Sequence, residues 1–229
     1  MIAVMPSAPT TESSIADALL PQRRGRGRGR RPSGQVRAEI LAAAGALLLT
    51  EGMGAFTIER VAALAGASKM TIYKWWPSKG VLALEGYAST IDSALTVPDT
   101  GDIEADLTTQ LLTYVHLLRE TPAGRVTAEL IGAAQTDPEL AAALRSSYAG
   151  PRRAVGLAAL RVGQERGQIR GDADPEALID QLWGACLYRV MMGDQPLTNT
   201  FARALVNNLM HGIHAFDARS SPTPRPPGG

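Results

Sequence analysis

The chain has 229 residues, a formal net charge of +1, 45% hydrophobic residues and one cysteine, Cys186. A single cysteine excludes an intramolecular disulfide framework and suits a reducing cytoplasm. The small net charge hides a split, because residues 22–86 hold eleven Lys and Arg against four Asp and Glu.

Residues 1–20 mix Ser, Thr, Ala and Pro with two acidic side chains and lack the basic start and long apolar run of a secretory signal. The expectation is disorder and a cytoplasmic, non-membrane protein. Six arginines follow within residues 23–32, interleaved with glycine. Such a run cannot bury a core and repels itself unless an anion is near. Arg28, Arg30 and Arg31 are therefore candidate DNA contacts on an Arg/Gly-rich arm spanning residues 1–33. An arm of this kind lies along phosphates or enters a narrow A·T minor groove. It resembles an AT-hook core, except that the second arginine before Pro32 breaks the Arg-Gly-Arg-Pro order. Non-specific affinity that falls with salt is the reading this carries. An RNA-binding segment is the competing reading, weakened because no aromatic residue interleaves the run to stack on bases.

Residues 34–80 read as three short helices. Gln35 to Thr50 carries a buried stripe through Val36, Ile40, Ala43-Ala44 and Leu47-Leu48, and Gly52 and Gly54 end it. Thr57 caps a second helix with Ile58, Val61, Ala62 and Ala65 at helical spacing. Gly66 permits the left-handed turn that stops it. Ser68 caps a third helix, Lys69-Met70-Thr71-Ile72-Tyr73-Lys74, which Ile72 and Trp76 anchor from four residues apart. Lys69, Met70, Thr71, Tyr73 and Lys74 are left for another surface. Pro77 stops the helix and Ser78 caps the next, placing Lys79 in its first turn. There a lysine opposes the helix dipole unless a phosphate is present. This is the plan of a helix-turn-helix, whose second helix enters the major groove. Ser68, Lys69, Met70 and Thr71 are the candidate base readers; Thr57, Tyr73, Lys74 and Lys79 are the candidate backbone contacts.

A linking helix over 81–97 continues from Ser78 to about Leu95, and Val97-Pro98-Asp99-Thr100-Gly101 marks a turn and domain boundary. Residues 102–216 are helical by pattern. The segments are Ile103 to Leu118, Pro122 to Ala134, and Asp137 to Arg166 with a kink at Gly150-Pro151. Asp174 to Met192 and Thr198 to about Phe216 follow. Residues 217–229 are Pro/Gly-rich and expected to be disordered. No alternating pattern long enough to seed a sheet is present.

Arg37 to Leu82 resembles the DNA-binding domain of the TetR family of bacterial transcriptional regulators. The resemblance rests on Arg37, Ile40-Leu41, Ala43-Ala44, Leu48, Gly52, Thr57-Ile58, Val61-Ala62, Ala65-Gly66, Ser68, Thr71, Tyr73, Trp76, Ser78-Lys79 and Leu82. Met70 departs from a common glycine or small residue and is suited to a thymine methyl; Trp76 replaces a common phenylalanine. The C-terminal half is similar to one large subgroup through Thr121 to Arg125, Asp137 to Leu140, Pro151 to Arg153, Asp172 to Pro175 and Gly184 to Leu197. The resemblance implies an all-α protein of about nine helices, with a three-helix reader and a helical effector-binding and dimerisation domain. It implies a homodimer through the last two helices, a palindromic double-stranded DNA operator, and release by an unidentified small-molecule effector. The apolar residues Leu178, Ile179, Leu182, Trp183, Leu187, Val190 and Met191 spread around more than one helix face, which independently invites a partner.

Tyr114, His116, Glu129, Tyr148, Trp183 and Cys186 are candidate effector contacts, being polar-tipped or soft residues among small apolar ones. Each also has a plain reading as a core or interface residue. Catalysis is not expected. Cys186 has no motif partner, and no glycine-rich phosphate loop opens a helix. His211 and His214 lack a third local ligand, so neither a metal nor a cofactor is expected. The leading expectation is a ligand-responsive regulator, and a repressor. The alternatives are a nucleoid- or RNA-associated protein acting through the arm, and a small-molecule-binding or catalytic helical protein with a vestigial reader.

Overall fold

The computed structural model describes residues 32–91 and 97–213. The arm with Arg28, Arg30 and Arg31, the segment 92–96, and the tail with His214 lie outside the described residues. Among the described residues, nine helices and no strand make up the fold. They are α1 (Ser33–Ala55), α2 (Ile58–Ala65), α3 (Lys69–Tyr73), α4 (Lys79–Ile91), α5 (Ile103–Glu120) and α6 (Ala123–Ala134). Helix α7 runs through Pro138–Ala143, a π-helical turn at Leu144–Ala149, and Gly150–Glu165. Helix α8 likewise joins Pro175–Ile179, a π-turn at Asp180–Gly184, and Ala185–Met192, and α9 is Asn199–His211.

Local chemistry sets most boundaries. Asp102, Asp137 and Asp174 accept hydrogen bonds from the first-turn N–H groups of α5, α7 and α8, and Thr198 does the same for α9. Gly66 ends α2 at φ 59°, a left-handed conformation that a Cβ would strain. The expected kink at Gly150-Pro151 takes a gentler form. Pro151 cannot donate a backbone hydrogen bond and its ring crowds the carbonyl four residues back. The widened turn immediately before it absorbs both problems, and the backbone stays helical through Gly150.

Two apolar cores organise these helices. The first gathers α1 to α4 around Ile40, Leu48, Phe56, Ile72, Trp76 and Tyr87, and it extends to Val126 and Leu130 of α6 and Leu140 of α7. The second joins α5, the later part of α7, α8 and α9 through Leu107, Leu111, Leu160, Leu182 and Val206. Packing therefore does not divide where the loop at 97–101 divides the chain, because α6 belongs to the reader's core. That loop is itself anchored. Buried Asp106 accepts from the Thr100 hydroxyl at 2.7 Å and from its N–H at 3.0 Å.

Helices α1 and α4 cross at Gly45 and Gly86. A Cβ on Gly45 would lie 2.7 Å from the Gly86 carbonyl oxygen, and one on Gly86 would lie 2.8 Å from the Ala44 Cβ. Only hydrogen fits at that crossing. Helix α1 is long and apolar enough to cross a membrane by length and composition. Here its apolar residues are spent on the reader's core instead.

Candidate functional site

The reader is built on short, firmly capped helices. Thr57 Oγ1 accepts from the Arg60 N–H at 3.2 Å to open α2. Ser68 Oγ accepts from the Thr71 N–H at 3.1 Å to open α3, and the two hydroxyls lie 2.9 Å apart. Ile72 and Trp76 are fully buried beneath α3. With that face pinned, the opposite one carries Lys69, Met70, Tyr73 and Lys74 into solvent; Met70 is 85% exposed. Thr71 is half-buried, and Lys79 is exposed at the start of α4, whose Val81 N–H is held by Ser78 Oγ at 3.3 Å. Trp75 is half-buried and packs edge-on to Trp76, with ring centroids 5.7 Å apart. One basic group is already engaged. Lys69 Nζ donates to Glu59 Oε1 at 2.8 Å, and this hydrogen bond raises the lysine's pKa and lowers the carboxylate's.

Two polar links tie the reader to the rest of the molecule. Glu85 of α4 accepts from the Trp76 indole N–H through one carboxylate oxygen and from Arg37 of α1 through the other. The Arg37 guanidinium also lies over the Trp76 ring at 5.4 Å. At the other end of α1, Arg125 of α6 donates to the Leu49 carbonyl at 3.1 Å, and Glu129 of α6 accepts from the Met53 N–H at 2.8 Å. Gly52 turns there at φ 79°, and any Cβ would strike Arg125.

Behind α4 lie two adjoining cavities of about 230 Å³ and about 100 Å³. Tyr114, Tyr148, Ala149 and Leu187 line both. The larger is walled by α5, α7 and α8, with Gln110, Arg152 and Trp183 on its lining. The smaller reaches Leu84 and Tyr87 of α4. Tyr87 Oη donates to the Ala123 carbonyl at 3.2 Å and lies 2.7 Å from Thr127 Oγ1. Its ring centroid is 5.8 Å from that of Tyr148. Burial raises the pKa of Tyr87, Tyr114 and Tyr148 alike, so all three enter this space as neutral phenols at physiological pH. Where the lining meets α8, Arg153 donates to Glu176 Oε2 at 2.7 Å and to Asp180 Oδ1 at 2.6 Å.

Of the residues singled out from sequence, Tyr114, Tyr148 and Trp183 meet at these cavities. Three others do not join them. His116 faces solvent from the opposite side of α5. Glu129 is committed to the α1–α6 link. Cys186 is fully buried in the second core, where desolvation raises its thiol to about 12. His211 pairs with Glu104 at 3.2 Å. Among the described residues no cluster of three or more His, Cys, Asp or Glu is placed to hold a metal. Sequence reasoning missed Tyr87, Gln110, Arg152 and Glu85. Gln110 had a readable signal, since it lies three residues after Leu107 on the apolar face of α5. The other three became visible only once α4, α6 and α7 were packed together.

Residues 40–85 match the family described as bacterial regulatory proteins, tetR family, and residues 97–209 match the tetracyclin repressor-like C-terminal domain. The chain is 36% identical over 182 residues to the HTH-type transcriptional regulator YdeS of Bacillus subtilis, covering 80% of this chain and 91% of that one. It is 32% identical over 178 residues to the DNA-binding transcriptional repressor TetR of Mycobacteroides abscessus, covering 76% and 90%. The crystal structure of the TetR family transcription regulator SCO0332 superposes with a TM-score of 0.73 at 52% identity, covering 79% of this chain and all of that one. With its capped reader and helical C-terminal half, the chain belongs to the TetR family of bacterial transcriptional regulators.

Proposed function

We propose that this protein is a homodimeric repressor that binds a roughly palindromic operator in the cytoplasm and is released by a small molecule held between α4 and α8. The observation that carries this reading is the outward face of α3. Its buried side is pinned by Ile72 and Trp76 while Lys69, Met70, Tyr73 and Lys74 stand clear of the core. In the complex, Ser68, Lys69, Met70 and Thr71 face base edges, with Met70 against a thymine methyl. Thr57, Tyr73, Lys74 and Lys79 hold phosphates and set register. Arg28, Arg30 and Arg31 add non-specific attraction from the arm. The domain layout proposed is an arm over 1–33, a reader over 34–80, a link over 81–97, an effector and dimerisation domain over 102–216, and a tail over 217–229.

Pairing through α8 and α9 is supported by the apolar surface they expose. Tyr188 is 57% exposed, Met191 and Met192 are similarly open, and Ile213 is 85% exposed beyond α9. Two-fold pairing spaces the reader helices one helical turn of DNA apart, about 34–36 Å. Release requires an effector that binds the DNA-incompetent arrangement more tightly than the competent one. The smaller cavity supports such a link, because Leu84 and Tyr87 on its wall belong to the same helix as Glu85.

Selection of bound fragments from randomised DNA by the purified full chain tests this function. Enrichment of a two-fold-symmetric motif is the expected result. Enrichment of A·T-rich DNA without symmetry, abolished by deleting residues 1–33, transfers the function to the arm as a nucleoid- or RNA-associated protein.

A further inference from the structure

The larger cavity holds a polar group whose hydrogen bonding the protein leaves incomplete. Gln110 is 5% exposed and lines the cavity, and its carbonyl oxygen Oε1 is buried with no hydrogen-bond partner among the described residues. A buried amide oxygen in that state costs free energy, which a ligand's N–H or O–H recovers. The terminal amide turns about its last bond with little change of shape, so its oxygen can be brought to the cavity face. Tyr114 of α5, Tyr148 of α7 and Trp183 of α8 set aromatic surfaces around it, and Val97, Ile179 and Leu187 add apolar walls.

The charged groups on this lining are engaged within the protein. Arg153 donates to Glu176 at 2.7 Å and to Asp180 at 2.6 Å. Arg152 lies over the Tyr148 ring at 3.9 Å and donates to the Tyr148 carbonyl at 3.1 Å. A ligand carboxylate would therefore leave water without gaining a cation of its own. Burying a charge on those terms costs far more than burying a neutral group of the same shape.

Resting on the regulator reading above, we infer that the effector is an uncharged, flat, largely apolar molecule that donates a hydrogen bond to Gln110. Its rings lie among Tyr114, Tyr148 and Trp183, and its N–H or O–H meets Gln110 Oε1. The cavity of about 230 Å³ lies below the roughly 300–1,000 Å³ usual for small-molecule sites, so two fused rings suit it better than an extended polycycle. The amide sets the specificity. A molecule of the same shape without a donor leaves the glutamine oxygen unmet and is rejected.

The test uses two matched pairs of probes in isothermal titrations of the full chain. Indole and benzofuran share one shape and differ in a ring N–H against a ring oxygen. Indole-2-carboxamide and indole-2-carboxylate share one shape and differ in charge. Saturable binding of indole is expected, at least about fivefold tighter than that of benzofuran. The carboxylate is expected to bind at least about tenfold more weakly than the carboxamide. In Gln110→Leu, and in Gln110→Met of closer length, indole weakens until the first pair binds alike. The free variants melt at a higher temperature because the unmet amide is gone. A merely structural glutamine would not move the preference between indole and benzofuran. Equal affinity for that pair in the wild-type protein overturns the donor requirement, as does an unchanged preference in variants with a cooperative melt. A carboxylate that binds as well as the carboxamide overturns the uncharged class, and absence of saturable binding by all four probes overturns the whole inference. Operator binding is measured separately on the same preparation. Failure of sequence-selective DNA binding would overturn the regulator reading, whereas the titrations alone decide the ligand class.

Discussion

The indole N–H of Trp76, just past the recognition helix, donates to the carboxylate of Glu85 on α4, and Arg37 of α1 holds the other oxygen of that same carboxylate. Glu85 is flanked in sequence by Leu84, which lines the smaller cavity, and by Gly86, which forms the crossing with α1. One stretch of α4 thus touches the cavity, the pivot and the end of the recognition helix. Glu85→Gln keeps the shape of the side chain and removes its charge. Charge-assisted hydrogen bonds contribute about 1.5–3 kcal/mol, so the melt is expected to fall and operator affinity to weaken about tenfold at temperatures where the variant is folded. Fluorescence anisotropy on the selected operator checks this, and unchanged affinity would remove Glu85 from the coupling.

To contact DNA as proposed, Lys69 must give up Glu59, whose Oε1 its Nζ holds at 2.8 Å. Glu59→Gln abolishes that ion pair and removes an acidic group from the reader's face. Tighter DNA binding with a steeper dependence on salt is expected, because one more ammonium is free to displace a counterion. A flatter salt dependence would show that Lys69 does not engage phosphate or base.

Met70 and Lys74 are both exposed on α3, yet they predict different phenotypes. Met70→Ala should relax or change the preferred base at one symmetric pair of positions, at a cost of about 1–3 kcal/mol for the original operator. Lys74→Ala should weaken all sequences alike and lower the salt slope by about one. Repeating the randomised-DNA selection with each variant distinguishes these roles.

Gly45→Ala adds a Cβ 2.4 Å from Thr90 Oγ1 and 2.7 Å from the Gly86 carbonyl oxygen. The hydroxyl can rotate away, but the backbone oxygen cannot, so α1 and α4 must separate. Overpacking of this kind costs about 1–3 kcal/mol. A lower thermal midpoint is expected, together with weaker DNA binding at temperatures where the variant is folded. A neutral melt would mean that the crossing yields easily.

Met192→Glu changes a side chain that is 60% exposed in the single chain, so the protomer's own core loses little. If α8 forms the dimer face, the substitution places like charges opposite each other across a two-fold axis. Light scattering should then report a monomer, and operator affinity should collapse because two half-sites are no longer read together. A persistent dimer would move the interface elsewhere.

Much of the reader was legible from the chain alone. Thr57, Gly66, Ser68 and Pro77 carry local chemistry that starts and stops helices whatever surrounds them, and the spacing of Ile58, Val61, Ala65, Ile72 and Trp76 marks the buried side by period. What remains after those residues are assigned is the outward face of α3. The same local signals placed the starts of α7, α8 and α9 at Asp137, Asp174 and Thr198.

The cavities were a different matter. A residue's type and helical phase do not say whether it meets solvent, a neighbouring helix or empty space. His116 and Tyr114 are two residues apart on α5, yet one faces solvent and the other lines both cavities. Glu129 and Cys186 had suitable chemistry but are held by the α1–α6 link and the second core. Sequence determined the helices and the face that the reader offers, because caps, turns and apolar period act within a few residues. Only the packing of α4 against α1 and α6 decided that Glu85 and Tyr87 matter, because Arg37, Ala123 and Thr127 lie far away along the chain.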